Sequence, residues 1–248
     1  MADRFDPRAT DRLRAGSINA QTGVPSAAFD AGLRSYMLSI YNYMTSGILL
    51  TGIVALLFAQ SGMAAQIMFG PGLMKYVIIF SPLAIVFAMS MGMNKFSTGA
   101  LQAMFWGFAL LMGLSMSTIF LVYTGESIAL AFFSTAAAFA GLSLFGYTTK
   151  KDLTGWGSFL IMGVVGLIVA SILNIFLKSS VMGLVISYAA VLIFAGLTAY
   201  DTQRLKSMYA HVAGSDMIGK VVIMGALSLY LNFINMFQAL LSIMGNRD

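Results

Sequence analysis

The chain has no cysteine, a single histidine, four prolines and two tryptophans, and only 9% of its 248 residues are charged. Without cysteine there are no disulfides, no thiolate nucleophile and no zinc–thiolate site. His211 is expected in a loop between the last two apolar segments, so a serine–histidine dyad within the apolar body is excluded. Charge is far scarcer than the roughly one quarter usual in soluble domains, and 59% of the residues are hydrophobic. What remains is an all-α polytopic membrane protein. Its net charge of +5 gives no reason to invoke nucleic acid.

Apolar runs fall at Leu33–Ala59, Met74–Met93, Thr98–Tyr123, Ser127–Tyr147, Gly155–Leu177, Val181–Leu205 and Gly219–Met244. Each is long enough to cross a hydrocarbon core of about 30 Å as a helix. Seven transmembrane helices over 33–248 are therefore expected, with short connections that force neighbours into antiparallel hairpins. Residues 1–32 alternate Asp and Arg, lack the apolar core of a cleavable signal peptide, and are expected to form a disordered cytosolic tail. With that tail in the cytoplasm, eleven of the fourteen Lys and Arg residues fall on its side of the membrane. Only Lys75, Lys178 and Arg247 fall opposite. This asymmetry predicts a cytoplasmic amino terminus and a carboxyl terminus across the membrane. Pro82 removes one backbone donor and leaves the Ile78 carbonyl without its helical partner, so a kink is expected there. Glycines at small-residue spacing, such as Gly166 with Ala170, are expected at close helix contacts.

Asp201 stands apart from every other acid, all of which fit tails or loops. It follows about twenty residues, Val181 to Tyr200, with no charge and few polar groups beyond Ser187 and Thr198. An acid at the end of such a helix marks a functional site. Two readings of it stay open. It can pair with Arg204 or Lys206 at the helix end, or it can serve cations and protons beside the polar Thr202 and Gln203, binding Ca²⁺ through oxygen ligands. The last helix carries a second signal. Gly225, Ser228, Asn232, Asn235, Ala239 and Ser242 recur at steps of three and four, forming one small and polar stripe. Such a stripe either glues helices together or lines a polar cavity facing Asp201. Catalysis is not expected: a carboxylate dyad needs a second acid, no lysine lies in the body of a helix, and neither metal-ligand spacing nor a phosphate loop occurs. No cofactor is implied beyond Ca²⁺ as a transported ion.

The segment from Phe194 through Thr198, Tyr200 and Asp201 to Gln203 resembles the signature of the Bax inhibitor-1 family, also called the transmembrane Bax-inhibitor-motif family. Gly146-Tyr147-Thr148-Thr149-Lys150-Lys151-Asp152-Leu153 and Leu229-Tyr230-Leu231-Asn232-Phe233-Ile234-Asn235 are similar to its further motifs, in the same order. The resemblance runs from about Leu33 to Met244 and is to the bacterial members, which implies an inner membrane. It implies six helices surrounding a central seventh that closes a pore, and a pH-sensitive Ca²⁺ leak. There an aspartate pair on the sixth and seventh helices shares a hydrogen bond. Asp201 matches the first, but Asn232 stands where the second would be. One titratable group in place of two removes like-charge coupling, so a weaker pH response, or one centred at lower pH, is expected. Some relatives also imply a different class, a regulator bound through its cytosolic tail to the membrane-anchored AAA protease.

Measured from the starts of the apolar runs, Asp201 would sit near the cytoplasmic face and Asn232 about 18 Å deep. Contact between them requires a later start of the seventh helix or a dipped loop.

Overall fold

The structure, a computed structural model, describes residues 26–246. Among the described residues, seven helices are long and apolar enough to cross a membrane. They are α1 (Ser26–Gln60), α2 (Met74–Gly92), α3 (Thr98–Met116), α4 (Gly125–Thr148), α5 (Thr154–Leu177), α6 (Ser180–Val212) and α7 (Ile218–Met244). Short helices Met63–Phe69 and Ile119–Val122 follow α1 and α3. The expected tail is corrected in part: residues 26–32 are the first turns of α1, while 1–25 lie outside the described residues.

In lipid every backbone group must be satisfied internally, and local side chains finish what the helices leave open. Ser97, Thr124 and Ser179 cap the starts of α3, α4 and α6, each hydroxyl accepting from an N–H three residues on. Before α5, Asp152 accepts from the Thr154 N–H at 2.9 Å. The hydrogen bonds from the Thr154 side chain and backbone hold the exposed Asp152 carboxyl below the ordinary carboxylate range. Helix α2 runs on through Pro82. The Ile78 carbonyl that Pro82 deprives of its donor receives the Ser81 hydroxyl at 3.2 Å.

Helix α7 is the most buried of the seven. It packs on α1, α3, α4 and α6, while α2 leans on α3 and α5 on α6. Two faces of α7 do different work. One is aromatic: Tyr230 is fully buried and meets Phe105 and Phe108 of α3 edge-on at 6.3 and 5.0 Å. Phe233 meets Phe132 and Phe139 of α4, both at 5.6 Å. The Tyr230 hydroxyl bonds Thr51 at 2.7 Å, and Thr51 donates to the Ala109 carbonyl at 2.8 Å, which ties α7, α1 and α3 together. The other face is the small and polar stripe, and it lies against α6. A Cβ on Gly225 would stand 2.7 Å from Leu205, and Ser187 donates to Ser242 at 3.1 Å.

Close helix approach occurs, but not at the expected glycine. Gly166 is exposed, with open space where its side chain would be. Gly146 of α4 instead lies against the Ala199 carbonyl of α6, and Gly113 of α3 would place a Cβ 2.8 Å from the Thr51 carbonyl of α1. Backbone cannot move aside as a flexible side chain can. Gly146→Ala is therefore expected to destabilise the folded protein by about 1–3 kcal/mol, read as an earlier thermal transition in detergent. Gly141→Ala, with open space at its Cβ position, should leave that transition unchanged or raise it slightly.

Candidate functional site

Asp201 lies within α6, eleven residues before its last residue, not at its end. The helix continues past the expected boundary at Leu205 because Arg204 to Val212 forms further turns, with Leu205 and Tyr209 still buried. This extension resolves the depth mismatch. Asp201 is about 17 Å from the end of α6, and Asn232 about 21 Å from the start of α7, at 1.5 Å per residue. The loop between them, 213–217, is short, and α7 starts at Ile218 without the later start that the apolar runs required. His211, expected in that loop, belongs to the last turn of α6.

The carboxylate is 8% exposed, and its two oxygens have different surroundings. Oδ2 accepts from the Ser228 hydroxyl at 2.8 Å and from Asn232 Nδ2 at 2.8 Å. Oδ1 carries no hydrogen bond among the described residues and is not sealed in protein. An amide and a hydroxyl from one helix thus fix a carboxylate on another, leaving one oxygen for a ligand. Asp201 forms no ion pair among the described residues, so the alternative of a local Arg204 or Lys206 pair is set aside. Lys206 points instead to α4, where Nζ donates to the Tyr147 carbonyl at 2.7 Å and lies 4.7 Å over the Tyr147 ring.

The other expected site residues separate into two groups. Ser228 and Asn232 reach the carboxylate directly. Asn235 lies on the same face, its Nδ2 donating to the Leu231 carbonyl at 2.7 Å. Arg204 is exposed and lines the same cavities as Asp201. Thr202 is not beside the carboxylate: it donates to the Thr198 carbonyl at 2.8 Å and faces Ser143 of α4 at 3.5 Å. Gln203 is a clamp on the α4–α5 loop. It accepts from the Leu153 N–H and donates to the Lys151 carbonyl, both at 2.8 Å. The side chains of positions 201, 202 and 203 leave a helix about 100° apart, so adjacency in sequence gave them no common target.

Two cavities meet at Asp201. One, of about 380 Å³, lies between α2, α6 and α7 toward the α6–α7 loop and includes Ser90, Met208 and Met224. The other, of about 860 Å³, runs toward the opposite end of the bundle along α5, α6 and α7 and includes Ser171, Asn235 and Gln238. Asp201, Arg204, Ser228 and Leu231 line both. No group of three or more His, Asp or Glu residues that could hold a metal occurs among the described residues. Ca²⁺ takes six to eight oxygen ligands, so one carboxylate oxygen with neighbouring neutral oxygens suits a passing ion better than a resident one.

The tie to α7 carries a measurable cost. Hydrogen bonds to charged groups contribute about 1.5–3 kcal/mol each. Asn232→Leu should destabilise by that order in chemical denaturation. The effect should shrink sharply when Asp201→Leu is already present, and equal losses in both backgrounds would show that the two side chains are not coupled.

Residues 33–248 match the family described as inhibitor of apoptosis-promoting Bax1. Inner membrane protein YbhL of Escherichia coli is 43% identical over 219 residues, covering 88% of this chain and 94% of YbhL. An uncharacterised protein of Caulobacter vibrioides is 48% identical over 231 residues, covering 88% of this chain and 92% of the relative. One from Rickettsia prowazekii is 46% identical over 220 residues, with the same coverage. With the match extending from α1 to the last residue, the chain belongs to the Bax inhibitor-1 family of integral membrane proteins.

Proposed function

We propose that this protein is a pH-sensitive cation leak, with Ca²⁺ as its principal ion, gated where Asp201 of α6 meets Asn232 and Ser228 of α7. The observation that carries the reading is the unequal state of the carboxylate. One oxygen is held by α7 and the other is open where two cavities share a wall. Conduction needs binding strong enough to admit an ion and weak enough to release it, and a single carboxylate oxygen supplies that middle strength. The inner membrane fits the location of the Escherichia coli relative, and the distribution of Lys and Arg favours a cytoplasmic amino terminus. The cavity beside Met208 and Met224 then opens toward the cytoplasm.

Gating follows from the same bonds. The ionised carboxylate both attracts cations and accepts from Ser228 and Asn232. Protonation removes the attraction and weakens the tie to α7. Cation entry is therefore present at high pH and lost as the carboxyl protonates. The amide at Asn232 contributes a donor without a second charge, so the response is that of one acid.

Vesicles loaded with a Ca²⁺ dye provide the test. Flux through the wild type should depend on pH, and Asp201→Asn should lose both flux and pH response. Asn232→Asp adds a second titratable group beside the first, so its dependence of flux on pH should differ from that of the wild type. Equal flux in wild type and Asp201→Asn would remove Asp201 from the mechanism.

A further inference from the structure

The larger of the two cavities is a groove that opens sideways. Helix α5 packs on α6 and α2 packs on α3, which leaves a gap between α2 and α5 with Leu83 on one rim and Ile168, Ile172 and Ile175 on the other. All three isoleucines are more than half exposed on the helix wall. The floor is different. It is the polar face of α7 together with Asp201 and Arg204 of α6.

Several of these floor groups are unanswered within the protein. Asp201 Oδ1, the Arg204 guanidinium and the Gln238 amide make no hydrogen bond among the described residues, and the Asn235 side-chain oxygen is likewise free. Arg204 and Asp201 are three residues apart on α6 and line the same groove, yet form no ion pair among the described residues, so each has capacity left. A polar floor open to hydrocarbon requires a polar occupant. The order of groups along the groove says which. Arg204 and Asp201 come first, then Asn235 and Gln238 at up to about 9 Å beyond Asn232, with the apolar α5 wall alongside. A glycerophospholipid with a primary ammonium headgroup presents its own groups in the matching order: phosphate and ammonium, ester carbonyls, then acyl chains.

We propose that this groove binds a phosphatidylethanolamine-type phospholipid, with its phosphate on Arg204, its ammonium on Asp201 Oδ1, and its ester carbonyls on the amides of Asn235 and Gln238. The three N–H donors of the ammonium distinguish it from a choline headgroup, whose methylated nitrogen donates nothing. An anionic glycerol headgroup satisfies Arg204 but leaves the carboxylate opposed. The lipid occupies the same oxygen that a passing cation needs, so bound lipid acts as a plug. That consequence rests on the leak reading, whereas binding itself does not.

The test uses full-length protein in nanodiscs with equal parts phosphatidylethanolamine, phosphatidylcholine and phosphatidylglycerol, followed by native mass spectrometry of the lipids that remain bound. Phosphatidylethanolamine should be enriched over the other two. Arg204→Gln should lower its retention by about tenfold, as loss of one charge-assisted contact predicts. Ala190→Trp, which fills the groove from α6, should lower it independently, with the thermal transition measured to confirm folding. Retention of no lipid, preference for phosphatidylglycerol or phosphatidylcholine, or wild-type retention in both folded variants would each overturn the proposal. A second arm separates it from the leak: Ca²⁺ flux should be slower in phosphatidylethanolamine vesicles than in phosphatidylcholine vesicles. Selective retention in a protein that passes no Ca²⁺ would sink the leak reading and leave the lipid site standing.

Discussion

A carboxylate inside an apolar helix has to be met by donors, and Ser228 and Asn232 meet one oxygen of Asp201 at 2.8 Å each. The bond fixes the register between α6 and α7. Once it is set, Gly225 falls against Leu205 and Ser242 against Ser187 along the same seam. The opposite side of α7 is then committed to aromatic packing, with Tyr230 between Phe105 and Phe108 and Phe233 between Phe132 and Phe139. Burying α7 in this way leaves α2 and α5 at the periphery, and the space between them is the groove that reaches the carboxylate.

The free oxygen is what turns a structural bond into a site. A carboxylate with both oxygens saturated would only join two helices. Here the join uses one, and the other carries no hydrogen bond among the described residues, on a residue that lines two cavities. Asn232 supplies that join with a neutral amide donor and adds no second charge. Under the proposed leak, control rests with Asp201 and with whatever else fills the groove, whether ion, water or lipid headgroup. Arg204 belongs to this balance as a fixed positive charge on the same walls.

Much of this was legible in the sequence. The seven apolar runs matched the helices to within a few residues at most ends, since hydrocarbon thickness sets their length. Asp201 stood out by cost alone, and the three-and-four spacing of Ser228 and Asn232 placed both on the face that meets it. The misses share a cause. The turns of α6 beyond Leu205 expose Ser207 and His211, and those of α1 before Leu33 hold small alanines and Asp30, so the hydropathy run stops before the helix does. Thr202 and Gln203 were grouped with Asp201 by adjacency, although successive residues on a helix diverge. Gly166 had the spacing of a contact residue but no helix opposite it, while Gly146 and Gly113 owe their importance to backbones that only packing brings near. The sideways groove was beyond reach for the same reason, being a gap between helices distant in sequence that only the packing of the bundle sets side by side.

The absence of cysteine makes the decisive measurement simple. Leu231 lines both cavities, and Leu231→Cys would carry the chain's single thiol. In sealed vesicles a small cationic thiol reagent should modify it faster than an anionic reagent of equal size, and added Ca²⁺ should slow the cationic reaction. Both the charge preference and the Ca²⁺ protection should vanish when Asp201→Asn is combined with Leu231→Cys. A thiol that no aqueous reagent reaches, or protection by Ca²⁺ that persists without the carboxylate, would contradict the view of Asp201 as an open cation site.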